Sequence, residues 1–206
     1  MQTVRFSNQL LLVGLIMALA TFNSYGQSST SDKGVMINGV KWATSNVAAP
    51  GTFAANPEDA GMFYQWNRKT AWPTTGAVSG WNNTTPTGTT WTKSNDPSPT
   101  GWRVPTIDEI KKLLDTDRVR SVWTTQNGIN GRKFTDQATG NSIFLPAAGA
   151  RYHNDGTLYS VGSDGSYWGS QASGSGNAYF FVFSSSNADW STPTRISGHS
   201  VRPVAE

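Results

Sequence analysis

The sequence predicts an α+β fold in which one main amphipathic helix, about residues 106–115, lies against small antiparallel sheets joined by long loops. Three observations carry this expectation. A single segment combines a helical apolar stripe with helix caps. Short alternating runs elsewhere end in Asn-Gly and Asp-Gly turns. Nine Trp, six Tyr and nine Phe sit among Gly, Ser, Thr and Asn, the make-up of a loop-rich β protein with aromatic anchors.

The chain opens with Met1-Gln-Thr-Val-Arg5 and an apolar run from Leu10 to Phe22, too short to span a bilayer comfortably. This reads as a secretory signal peptide over residues 1–26, cut after the small residues Ser24 and Gly26. No Cys follows the run, which disfavours a lipid anchor, and no transmembrane span is expected after cleavage. Cleavage takes Arg5 and no acid from totals of 16 basic and 13 acidic residues, which leaves a net charge of +2. No Lys/Arg-rich stripe is present, so no nucleic-acid partner is expected. The remaining chain of about 180 residues has no Cys and is long enough to bury one core without disulfides. Residues 27–33 read as a flexible polar lead-in, and residues 34–206 as one domain.

Within that domain, Asn38-Gly39 suits a type I′ turn between the arms of a hairpin over residues 35–43. Residues 46–57 read as loop, and the aromatic-dense residues 59–66 as a partly buried strand. Residues 70–100 hold Thr, Gly, Asn, Ser and Pro, with Trp72, Trp81 and Trp91 about ten apart. A connection of that length is functional or mobile. Pro105 then bars helix before it, Thr106 is an N-cap, and Glu109 completes a capping box. Ile107, Ile110, Leu113 and Leu114 share one face of the helix that follows; Lys111, Lys112 and Asp115 take the other.

After the helix, residues 118–123 and 132–135 read as short extended pieces separated by Asn127-Gly128 and Asn130-Gly131 turns. Residues 141–146 form a strand that Pro146 ends or confines to an edge. Asn154-Asp-Gly156 and Ser163-Asp-Gly165 mark two further turns. Residues 178–184, apolar on both faces, read as the central strand of a sheet. Asn187 to Trp190 reads as a turn, and two short pieces at 194–197 and 200–204 finish the chain.

Chemistry is sparse. His153 and His199 lie 46 residues apart with no paired spacing, and both read as structural, one in a turn and one at a strand start. No nucleophile elbow or phosphate-cradling glycine motif occurs, so no catalytic residue is assigned. Adjacent acids such as Asp108/Glu109 suit capping. No cofactor and no regular metal site is expected, although an irregular calcium site using Asp155, Asp164 or Asp189 stays open. The candidates for ligand binding are Trp72, Trp81, Trp91 and Trp190 in polar loop contexts, with Asn187 and Asp189 beside the last. Each ring has two open roles, stacking on a ligand or pinning a loop to the core. Trp42, Trp102, Trp123 and Trp168 read as core.

Seven blocks in order resemble a known family. They are Val40-Lys-Trp-Ala-Thr-Ser-Asn46, Gly61-Met-Phe-Tyr-Gln-Trp66, Gly101-Trp-Arg-Val-Pro-Thr106, Leu145-Pro-Ala-Ala-Gly-Ala-Arg151, Gly165-Ser-Tyr-Trp-Gly-Ser170, residues 178–183 and Gly198-His-Ser-Val-Arg-Pro203. Together they are similar to the Fibrobacter succinogenes major paralogous domain. That resemblance implies a C-type lectin-like fold with small twisted sheets, in secreted or surface proteins of Bacteroidota, often fimbrillin-like or adhesin chains. It also implies that Trp102 is a core anchor and Arg103 an internal hydrogen-bond donor. The Glu-Pro-Asn and Trp-Asn-Asp signatures of calcium-dependent lectins are absent, Ala188-Asp-Trp190 being a poor substitute. The Cys pair of formylglycine-generating oxidases is absent too. The expected function is a non-catalytic secreted or cell-surface module, adhesin-like or fimbria-associated, that recognises glycan or extracellular protein through residues 70–100 and 184–197. The alternative is a structural accessory subunit of a surface assembly with no soluble ligand.

Overall fold

The computed structural model describes residues 29–206, so the expected signal peptide over residues 1–26 lies outside the described residues. The first half of the described chain carries β1 (Val35–Ile37), β2 (Val40–Trp42), β3 (Phe63–Gln65), β4 (Ala71–Trp72), β5 (Trp102–Arg103) and α1 (Ile107–Leu113). Longer strands follow: β6 (Val119–Gln126), β7 (Ile129–Asp136), β8 (Ser142–Pro146), β9 (Ala150–Arg151), β10 (Leu158–Tyr159), β11 (Gly165–Ser173) and β12 (Asn177–Phe183). The last are β13 (Ala188–Ser191), β14 (Gly198–His199) and β15 (Val204–Ala205). They build four antiparallel sheets, ordered β1-β2-β15-β5, β10-β9-β14-β3-β4, β11-β12-β13 and β6-β7-β8.

This overturns the expected α+β, C-type lectin-like fold with a main helix over 106–115. Strand takes 39% of the described residues and helix 4%. The helix signals are real but local. Thr106 and Glu109 form the capping box, and Ile107, Ile110 and Leu113 are buried. The helix nevertheless stops after seven residues. Asp115 accepts the backbone N–H groups of Arg118 and Val119 through its carbonyl, and that of Asp117 through its side chain, which turns the chain straight into β6.

Turn chemistry accounts for much of the sheet pattern. Asn38 and Gly39 both have positive φ, 46° and 75°, as a type I′ hairpin requires, and so do Asn127 and Gly128, 48° and 82°. The expected Asn130-Gly131 turn is absent because both residues lie inside β7. There Gly131 is needed for space: a Cβ on it would lie 2.3 Å from the Leu145 carbonyl oxygen. Nor do residues 187–190 make a turn; Ala188–Ser191 pair with β12 as an edge strand.

β12 divides two cores. Phe181 and Phe183 point into one with Ile37, Trp42, Ile110, Leu113, Phe134 and Tyr167. Ala178 and Phe180 point into the other with Tyr64, Trp66, Trp91, Val104, Trp168 and Val201. The expected central strand, apolar on both faces, is therefore central because it serves both.

The long loops are tied down by buried arginines. Arg151 donates to the carbonyls of Pro73, Thr75, Gly76 and Gly156, at 2.8, 3.1 and 3.0 Å for the first three. Arg195 donates to Asn177, Pro86 and Gly88 at 3.0, 2.9 and 3.0 Å and to Gly174, with its guanidinium 4.4 Å from the Trp66 ring centre. Arg202 donates to the Asn46 side chain and to the carbonyls of Ala43, Thr44 and Pro57. Residues 70–100, expected to be functional or mobile, are thus ordered on a lattice of side-chain donors. The lead-in is fastened as well. Ser29 bridges Phe53, and Asp32 accepts from the backbone of Gly34, Thr44 and Ser45.

Arg195→Met should destabilise the protein by about 3 kcal/mol in urea denaturation, because it strands several buried carbonyls at roughly 1–3 kcal/mol each, partly offset by sparing a guanidinium desolvation. Hydrogen exchange should show the amides of residues 84–92 losing protection first. A variant within about 0.5 kcal/mol of the parent would mean that these carbonyls find other donors.

Candidate functional site

The six residues expected to bind ligand are not brought together. Trp72 and Trp81 pack on each other, ring centres 4.8 Å apart, and Trp81 Nε1 donates to the His153 carbonyl at 2.9 Å. Added Cβ atoms on Gly156 and Gly198 would strike Trp81, so this pair wedges the 70–88 loop against the β9–β10 hairpin and β14. Trp91 is 8% exposed in the second core, 6.0 Å from Trp66, and donates through Nε1 to Asn95. All three rings pack against other segments of the chain and so pin the loops that carry them.

Trp190, Asp189 and Asn187 lie apart from them, on the β12–β13 hairpin. Trp190 is 40% exposed, with Tyr179 5.7 Å away and Lys111 Nζ 5.1 Å from its ring. Asp189 and Asn187 are exposed, but their oxygens already accept local bonds from the Trp190 N–H and the Ser184 hydroxyl.

A half-open cleft of about 420 Å³ opens where residues 90–101 pass over β5 and the start of α1. Its apolar walls are Trp102 and the edge of Trp91; its polar lining includes Lys69, Lys93, Asp96, Ser98, Arg103 and Glu206. The half-buried Trp102 was expected as a core anchor. It instead stands between Phe53, which it meets edge-on at 5.6 Å, and the cleft.

Backbone ties set the shape of this cleft. Asp96 accepts the N–H groups of Ser98 and Val104 at 2.8 and 3.0 Å, and Trp91 donates its N–H to Ser170 at 2.7 Å. Gly101, at φ 83°, turns the chain into β5 in a conformation that favours glycine.

Charge in the cleft is partly committed. Arg103 grips Glu109 with two bonds of 2.9 and 2.7 Å, fulfilling its expected donor role. The bond to Glu109 holds the Arg103 guanidinium above its ordinary range. Burial pushes the Glu109 carboxyl up, but Arg103 and the Thr106 N–H outweigh it and hold the group below the usual carboxylate range. Lys93 pairs with Glu206 at 3.2 Å. Lys69 is exposed and forms no hydrogen bond or ion pair among the described residues. Ser98 Oγ is buried without a partner.

Sequence reasoning missed a second exposed aromatic group. Tyr152 and His153 lie 4.5 Å apart and Tyr159 meets Tyr152 edge-on at 6.0 Å, with the two tyrosines 47% and 41% exposed. The signal was present in the residues that flank the Asn154-Asp-Gly156 turn. Among the described residues no group of three His, Cys, Asp or Glu is placed to hold a metal.

His199 is buried against Trp168 and Phe180, with ring centres 4.5 and 5.0 Å away, and neither ring nitrogen has a partner. Burial pushes its pKa down to about 3.

Comparison with protein families matches residues 118–204 to a domain of unknown function, DUF8237. No curated protein and no solved structure matches the chain. The similar region runs from the start of β6 to β15 and leaves most of the cleft residues outside it.

The His199 environment sets a pH dependence. The unfolded chain binds a proton below pH 6.5 that the folded protein refuses until about pH 3, so stability present above 6.5 falls as pH drops through that window, by roughly 1 kcal/mol per pH unit. His199→Phe should flatten the slope between pH 6.5 and 4.5 in denaturant titrations. An unchanged slope would assign the acid sensitivity to other groups.

Proposed function

We propose that this chain is a non-catalytic, exported binding module that holds a saccharide-sized polar ligand in the Trp102 cleft. The observation behind this reading is the composition of the cleft: an indole wall beside an uncommitted ammonium and an unpartnered buried hydroxyl, in a concavity of about 420 Å³. Ligand sites combine apolar or aromatic walls with a few convergent polar groups, and indole faces stack on sugar rings while lysine and hydroxyl groups bond their edges. No group hydrogen-bonds Ser98 Oγ to activate it, and Asp96 spends both oxygens on backbone N–H groups, which favours binding over chemistry. Export rests on the leader-like residues 1–26 and on the resemblance to secreted paralogous domains.

A second reading has its own support. Ile129 and Val161, 44% and 60% exposed, share a groove with Pro146 and Ala147. A groove of that kind suits a structural accessory subunit packed into a surface assembly.

The test is a glycan-array screen of the purified protein followed by titration of tryptophan fluorescence with the strongest hit. Lys69→Ala and Trp102→Ala should each raise the dissociation constant about tenfold, near 1.4 kcal/mol, while Trp190→Ala leaves it unchanged. Binding lost in Trp190→Ala but kept in both cleft variants would move the site to the β12–β13 hairpin. A blank array on folded protein would favour the structural-subunit reading.

A further inference from the structure

Two long strands lie at sheet edges, and the chain treats them in opposite ways. The nine-residue β11 is sealed on its outer side. Trp91 donates to the Ser170 carbonyl, Ser170 to Pro105, Ala172 to Thr89 and Trp168 to Ser200, while Ser200 donates back to Ser166. Among the described residues the eight-residue β6 receives no such cover.

In its two-residue hairpin with β7, Gln126 lies opposite Ile129, and this turn-closing pair exchanges both backbone bonds. The even-numbered residues of β6 therefore bond to β7. The far side of β7 agrees, since the Asn130 carbonyl accepts from Ala147 and the Asp136 N–H donates to Asn141. Ser121, Trp123 and Thr125 are left with N–H and C=O groups aimed outward, and no backbone or side-chain partner meets them among the described residues. β6 also carries no Pro and no bulge, and Arg120 near one end is its only charged side chain.

We propose that β6 is an interface between two copies of this chain, paired edge to edge and antiparallel about Trp123. The two-fold register that centres on Trp123 places Ser121 opposite Thr125 of the second copy and Trp123 opposite its own counterpart. All three outward-facing residues of each strand then sit in hydrogen-bonding positions.

Charge supports the same register. Arg120 comes to lie opposite Gln126 of the other copy, and Gln126 Nε2 donates to the Glu58 carboxylate at 2.9 Å, as does Asn127 Nδ2. Each copy thus carries a cation at one end of the edge and a carboxylate at the other. The two-fold axis sets each Arg120 opposite the partner's Gln126, one hydrogen bond away from Glu58, and no like charges face each other along the strand.

Sedimentation velocity over a micromolar concentration range tests the pairing. The parent should show a monomer–dimer equilibrium, Arg120→Glu should raise its dissociation constant about tenfold or more, and the double variant Arg120→Glu/Glu58→Arg should recover to within about threefold of the parent. Circular dichroism confirms that the variants are folded. The register has a separate readout, because the chain has no native Cys. Val122→Cys/Thr124→Cys puts thiols in the close, non-hydrogen-bonded pairs across the axis and should give a covalent dimer on oxidation. A parent that stays monomeric throughout overturns the proposal. So does a dimer indifferent to Arg120→Glu whose cysteine variant does not cross-link.

Discussion

The structure depends on buried guanidinium groups that satisfy main-chain carbonyls. A chain with so much irregular backbone carries many carbonyls into its interior without sheet partners, and each needs a donor. Arginine supplies five N–H groups in one rigid plane, so a single side chain can close several such gaps at once. Arg151, Arg195 and Arg202 all lie in the last third of the sequence, and most of their bonds reach back to residues 43–57, 73–76 and 86–88. Among the described residues none of the three pairs with a carboxylate. Burial lowers the pKa of Arg202 to about 10, which still leaves it charged at neutral pH. The positive charge is solvated by carbonyl dipoles, and those dipoles are what the group orders.

That arrangement explains how small sheets make one body. β12 separates two cores, and the helix covers only one of them, beside Tyr167 and Phe181. The second core has no helix. It is closed by Trp66 and Trp91, and Arg195 lies over Trp66 while holding the carbonyls at 86 and 88. Covering a core with ordered loop instead of regular structure requires fixing backbone that has no ladder of its own, and the arginine fork does this.

The parts of the fold legible in the sequence are those whose cause is local. Thr106 and Glu109 are three residues apart, and Asn38-Gly39 and Asn127-Gly128 carry their own turn conformation, so each could be read without knowing what packs nearby. The class of the fold was not legible in the same way. Strands of two or three residues, such as β4, β5, β9 and β14, are too short for a period-2 pattern, and a well-capped helix of seven residues outweighed them. Asn130-Gly131 carries the same dipeptide as a true turn, and only the approach of Leu145 and Phe144 reveals that this glycine serves packing. The packing of the candidate site residues was hidden for a related reason. Polar neighbours in sequence made Trp91 look exposed, whereas burial is decided by Trp66, 25 positions away. The cleft itself draws on residues from Lys69 to Glu206 and has no local signature.

The cleft and the scaffold are nonetheless separable in physical terms. The arginines, the dividing strand and the open edge of β6 all fall within residues 118–204, whereas the 90–101 segment that shapes the cleft is fastened chiefly by Asp96, by Asn67 accepting from Thr92 and Asn95, and by backbone bonds from Gly51 and Trp91. Asp96 spends its two oxygens on Ser98 and Val104, which fixes the segment's path without using Lys69, Thr100 or the outer face of Trp102. Side chains at those three positions are therefore free of the bonds that hold the loop in place. Substitution there alters what the cleft presents at little cost to the backbone, provided that Asp96 and Gly101 are kept. An ordered loop whose exposed side chains carry no structural duty is the arrangement in which ligand preference can change while the fold stays fixed.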